Sequence, residues 1–352
     1  MKNLLFSVLS LIAVTATAQE AVKLTAGKIN DYGLVYNLPT TVAQIKLHIT
    51  KTDAKAGPYY KYAQKYLGVN DVVSKDGVAY KLDAIEIVEK GIADPEYSYL
   101  VKFRSGSTPS MYLSKEGSLI SINAAPETTE NASANKKGNK TNSKKPSYSV
   151  LNEEQLSAGS TAKMAESAAK QIYRIRESRI NIATGDVDQL PADGESFKLI
   201  MSQLDEQEAA LTEMFLGNIN EEKYIETIDY NPALGAGKDV AFRFSNTSGV
   251  VDKENLSGDP YYITVDIVED LRPNDADKKS KDKGKEKGIA YVVPGKVAVS
   301  IIHNNKKVKS EVLNISQLGY IKQLPANMFD DKKSPAKAFF DPNTGAVLKI
   351  VE

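Results

Sequence analysis

From Pro126 to Ser147 the chain contains no Val, Ile, Leu, Met or aromatic residue, only Asn, Ser, Thr, Lys, Gly, Ala, Glu and Pro. So polar a run has little apolar surface to offset its ordering entropy. Residues 126–150 therefore read as a disordered linker, and any core must be built from what lies on either side. A second polar run, Asp270 to Gly288, interleaves six lysines with acids between two strand-like flanks. It reads as a long mobile loop, 270–288. The neighbouring acids largely cancel the lysine field, so a solvated loop is favoured over a nucleic-acid contact.

Before the linker, Val42, Ile45, Leu47 and Ile49 fall on one side of a strand while Lys46, His48 and Thr50 fall on the other. This alternation marks a sheet with one wet face. Further strands follow at Leu82–Ile87 and Tyr97–Phe103, and Met111 to Ile122 predicts a hairpin turning at Lys115-Glu116-Gly117. After the linker the period changes to that of helices. Met164, Ala168, Ile172, Ile175 and Ile182 form one stripe, and Phe197, Ile200, Met201, Leu204, Leu211, Met214 and Phe215 form another. Gly185 can end the first helix, and Asp193 with Glu195 can cap and charge the start of the second. The remainder returns to strands, closing on a pair around Asp341-Pro342-Asn343-Thr344-Gly345.

The predicted fold is α+β: two β-rich, sandwich-like domains, 19–125 and 219–352, joined by the linker and an antiparallel helical hairpin, 151–218. Aligning Gly117 with Gly345 matches Tyr112 to Phe340, Leu119 to Val347, Ile120 to Leu348 and Ile122 to Ile350. Ile85–Glu89 also resembles Val265–Glu269. A diverged tandem pair of β domains would explain both matches; so would the alternation and turn glycine that any two hairpins share.

Met1-Lys2-Asn3, the apolar run from Leu4 to Val14 and Ala16-Thr17-Ala18 have the build of a signal peptide, 1–18, leaving Gln19 as the new terminus. The apolar run is shorter than the ~20 residues a membrane span requires. With no cysteine there is neither a lipoprotein anchor nor a disulfide, so the expected mature protein is soluble and held by its own cores. The 45 basic and 45 acidic residues, less Lys2, leave a charge near −1, which points to neither nucleic acid nor an anionic membrane. There is no tryptophan, and 18 tyrosines outnumber 9 phenylalanines, as suits half-buried β surfaces.

No catalytic, cofactor-binding or metal-ligating set stands out. The only two histidines, His48 and His303, sit on a strand face and at a strand end beside the turn Asn304-Asn305, without a nucleophile elbow. Ser160-Thr161-Ala162-Lys163 fits Ser-x-x-Lys but lacks companion motifs, so a helix cap explains it better. Gly235-Ala236-Gly237-Lys238 lacks the first glycine and the final hydroxyl of a phosphate loop and precedes a strand. Asp205, Glu206 and Glu208 lie on the polar side of the second helix.

The strongest positive feature is Gly57 to Gly68, a short helix with proline at its first position and glycine past its end. It carries Tyr59, Tyr60, Tyr62 and Tyr66, the candidate binding residues for a protein or a glycan. The competing reading is that Tyr59, Tyr62 and Tyr66 pack this helix onto the sheet.

Tyr36-Asn37-Leu38-Pro39, Gly57–Gly68, Ser105–Leu113, Leu190–Glu195 and Phe339–Gly345 together resemble an uncharacterised family of exported Bacteroidetes proteins, a domain of unknown function, over nearly the whole mature chain. The resemblance brings no activity, cofactor or catalytic residue. It implies a Gram-negative envelope and hence a periplasmic setting, with secretion or outer-membrane association as alternatives. The expected function is a non-catalytic binding or assembly scaffold whose partner is another envelope protein or a glycan. The alternative is a glycan-binding or glycan-active protein using scattered carboxylates and tyrosines.

Overall fold

The computed structural model describes residues 20–23, 34–102, 109–126, 153–187, 193–232, 237–273, 288–325, 328–329 and 334–351. The segments read as signal peptide and linker, and most of loop 270–288, lie outside them. In chain order the first elements are β1 (Glu20–Lys23), β2 (Leu34–Lys55), a 3₁₀ turn (Tyr60–Tyr62), α1 (Ala63–Leu67), β3 (Gly77–Lys102), β4 (Met111–Leu113) and β5 (Leu119–Ile122). The helices α2 (Glu153–Leu156), α3 (Thr161–Thr184) and α4 (Gly194–Leu216) follow. Last come β6 (Asn218–Tyr230), β7 (Lys238–Ser245), β8 (Gly249–Val251), β9 (Asp259–Glu269), β10 (Gly288–His303), β11 (Lys306–Pro325), β12 (Lys337–Phe340) and β13 (Val347–Val351).

The strands form three antiparallel sheets, ordered β1-β3-β2-β6, β11-β10-β9-β7-β8 and β13-β12-β5-β4. The class is α+β, dominated by sheet, with the expected helical pair. The grouping of the strands differs from a division at the linker. β6 adds to the first sheet beside β2 from Ala43↔Tyr230 to Lys55↔Asn218, and β12 pairs with β5 at Ala338↔Ile122. Each of the three cores likewise draws on both sides of the linker. Ile45, Leu47 and Ile49 pack with Phe242, Ile263, Val299 and Ile301. Tyr36, Tyr99 and Ile122 pack with Ile289, Val292 and Phe340. Tyr59 and Ala63 pack with Ile172, Leu211 and Phe215. The physical reason is coverage: a two-stranded ribbon has one apolar face and nothing to lay it on, and the second sheet supplies that layer.

β2 and β3 are far longer than ordinary strands, at 22 and 26 residues. β2 serves two cores because its pairing breaks between Asn37 and Pro39, where proline removes a ladder donor. Residues before the break enter one core and residues after it the other. The expected outward set largely holds, but Thr50 is buried, its hydroxyl donating to the Asp83 carboxylate. Asp83 is the extra residue of a second bulge, opposite His48 and Ile49.

Both predicted turn glycines are left-handed, Gly117 at φ +91° and Gly345 at φ +73°. Their carbonyls hold matching places: Asn37 of β2 donates to Gly117 O at 3.0 Å and Val292 of β10 donates to Gly345 O at 2.9 Å. What recurs is a long hairpin followed by a short one, β2–β5 and β10–β13. Tyr36–Pro39 and Tyr291–Pro294 share the pattern Tyr-x-x-Pro at the two breaks. A tandem pair of whole domains does not fit, since the sheet orders differ. Ile85–Glu89 lies in β3 whereas Val265–Glu269 lies in β9, strands with different neighbours. Asn304 and Asn305, at φ 49° and 59°, make the predicted hairpin turn between β10 and β11.

Candidate functional site

The helical hairpin begins as its caps foretell. The Ser160 hydroxyl accepts from the Lys163 amide at 3.4 Å, which gives the Ser-x-x-Lys pattern a capping role. Asp193 accepts from the Ser196 amide at 2.7 Å, and these bonds hold its carboxyl below the usual range. Gly185 ends α3 at φ +79°.

The base of the hairpin is seated on the segment that follows β2. Gly57 lies so close to α4 that a Cβ there would stand 2.3 Å from Met214 O. The Tyr59 amide donates to Met214 O and the Val73 amide to Leu216 O, each at 2.8 Å. Carbonyls left open at the end of α4 are thereby satisfied. Ala165, Ala168, Ala169, Ile172 and Ile175 of α3 and Leu211, Met214 and Phe215 of α4 complete the buried base.

The tyrosines of this segment divide. Tyr59 is buried with its ring 5.4 Å from Phe215, and burial pushes its hydroxyl pKa up. Its ring is a packing group, which corrects its place among the candidate contact residues. Tyr62 and Tyr66 are half-buried against the helical core with their rings 6.2 Å apart, and the Tyr66 carbonyl accepts from the Tyr173 hydroxyl at 2.8 Å. Tyr60 is half-exposed with the Lys61 ammonium 5.8 Å from its ring. The short helix packs on the helical hairpin, whereas the competing reading put it on the sheet.

Higher on the hairpin, Glu208 is the electrostatic clasp. Arg176 and Arg179 each approach its carboxylate at 2.6 Å, and Arg179 also reaches Asp205 at 3.0 Å. The Arg176 bond above all holds the Glu208 carboxyl below its ordinary range. Two acids read as solvated thus tie α4 to α3. Beyond this clasp burial stops: no residue of α3 after Ile175 is buried, nor any of α4 before Leu211. Ile180 and Leu199 are each 61 % exposed, with Phe197 and Ile200 at 36 % and 37 %. Ile180 and Leu199 lie off the apolar stripes read from the sequence. Apolar residues beside a stripe, with no core role in the pattern, were the available signal.

A cavity of about 310 Å³ opens beside α3, lined by Glu154, Ala158, Lys163, Glu166, Ser167 and Lys170. Its charges are mixed: Lys170 pairs with Glu166 at 2.9 Å and holds that carboxyl low, and no aromatic ring lines the space. The histidines lie elsewhere, His48 3.6 Å from Glu86 and His303 stacked 4.1 Å from Tyr261. Lys238 begins β7 with its ammonium 4.3 Å from the Tyr262 ring, and the adjacent Gly235 and Ala236 lie outside the described residues. Among the described residues no group of three or more His, Asp or Glu could hold a metal ion, and no helix is long and apolar enough to cross a membrane.

No curated protein and no solved structure matches the chain. A family model does match it, over residues 32–348, which take in β2 to β12 and the helical hairpin. The chain therefore belongs to the family described as Domain of unknown function (DUF4831).

Proposed function

We propose that this chain is an exported periplasmic protein of a Bacteroidetes envelope that works without catalysis, as a binding or assembly scaffold. The observation that carries this reading is the hairpin: a base locked into the β body, and a distal half that leaves Ile180, Phe197, Leu199 and Ile200 open to solvent. Large apolar side chains left outside a core at the free end of an element are available for contact with a partner. A glycan site would place rings beside paired acids. The α3 cavity has two carboxylates and no ring, so it is not a site of that kind.

The test is site-specific photo-crosslinking in cells with the probe at Leu199, and at Leu256, 82 % exposed on the β body, as control. The expected result is a discrete protein adduct from Leu199 alone. Equal labelling at both positions, or none at either, would remove the scaffold reading.

A further inference from the structure

We infer that the partner of the hairpin is a second copy of this chain, docked so that α3 of each copy lies against α4 of the other in a four-helix arrangement. This rests on the scaffold reading and names the partner. Two helices form a single layer, and among the described residues no side chain of α3 after Ile175 or of α4 before Leu211 is buried. The uncovered stretch runs from Arg176 to Thr184 in α3 and from Gly194 to Ala210 in α4, roughly 14 and 25 Å at ~1.5 Å per residue.

Charge selects the occupant. Over the uncovered stretch α3 carries Arg176 and Arg179 against Glu177, whereas α4 carries Glu195, Asp205, Glu206 and Glu208 against Lys198. This asymmetry already pairs Arg176 and Arg179 with Glu208 within one copy. Across a twofold axis it sets α3 against α3 and α4 against α4 as like charges, and leaves α3 against α4 as the matched pairing. A second copy brings both the apolar residues and the opposite charge by symmetry. Two short helix faces bury less than ~1,200 Å² in total, the range of weak, transient interfaces.

The chain has no cysteine, so single cysteines report contacts cleanly. Sedimentation equilibrium of the purified mature protein is expected to give a monomer–dimer equilibrium at about micromolar to 100 micromolar concentration. Ile180→Glu with Leu199→Glu is expected to weaken it at least ~10-fold, with far-UV circular dichroism unchanged because both side chains are exposed. Under mild oxidation, an equimolar mix of Ile180→Cys and Leu199→Cys is expected to form the mixed disulfide faster than either forms its own or than Leu256→Cys does. A strictly monomeric protein at several hundred micromolar overturns the inference, as does crosslinking of Leu256→Cys at the same rate. Preference for like-with-like disulfides overturns the α3-to-α4 pairing. A monomer in solution whose Leu199 probe still captures a different protein in cells sinks the second-copy inference alone and leaves the scaffold reading standing.

Discussion

Glu208 and Glu89 are carboxylates pushed in opposite directions by their surroundings. Two guanidinium groups depress Glu208, so its ion pairs stabilise the fold above the ordinary carboxylate range and are lost as pH falls through its lowered pKa. Glu208→Gln should cost about 1 kcal/mol at neutral pH, with the deficit in thermal melts shrinking as pH falls below the ordinary carboxylate pKa and gone once Glu208 itself is protonated. Glu89 is raised, first by burial and in part by Asp341, although the Asn314 amide donates to it. Its ionised form is the costly one, so the penalty is absent below the ordinary carboxylate pKa and grows as pH rises through the raised value. Glu89→Gln keeps the acceptor and should raise the melting temperature at neutral pH, with no gain in acid. Nearby, Thr41 donates to Asn343 O at 2.8 Å, the Gln317 amide donates to Thr41 O, and the Asn343 side chain accepts from the Gly91 amide. A Cβ at Gly91 would stand 2.4 Å from Pro342 O, so Gly91→Ala should lose roughly 2–4 kcal/mol in urea unfolding. The turn at Gly345 was legible in the chain because a turn is local. The place of Thr41 was not, because its partners Ser316 and Asn343 lie hundreds of residues away.

At the scale of elements, the helices and their caps followed from spacing and from Ser160, Gly185 and Asp193. Asp193→Ala should cost ~1 kcal/mol and fray the start of α4. Hydrogen exchange should show the base of the hairpin protected and the stretch beyond Ile175 and before Leu211 exchanging faster, because only the base is buried. Uniform protection along both helices in dilute monomer would contradict this. The apolar stripes ran the length of both helices in the sequence, and periodicity reports a face without reporting what covers it. The same limit applied to Tyr59, whose spacing admitted both a contact surface and a core and whose burial depends on Phe215.

On the scale of the whole molecule, three cores shared across the linker mean that neither half owns a complete one. Residues 19–125 and 151–352 expressed apart should each fail to fold, and co-expressed they should copurify as one body with a native-like melt. Independent folding of 19–125, seen as a cooperative transition, would refute this. Composition, the polar run at 126–147, the strand and helix periods and the turn glycines were determined by the sequence alone, because each depends on neighbours within a few residues. The pairing of β6 with β2 and of β12 with β5, the burial of Tyr59 and the exposure of Ile180 and Leu199 were decided only by tertiary structure. Those outcomes turn on which surface covers which, and a strand's alternation says that one face must be buried without saying by whom.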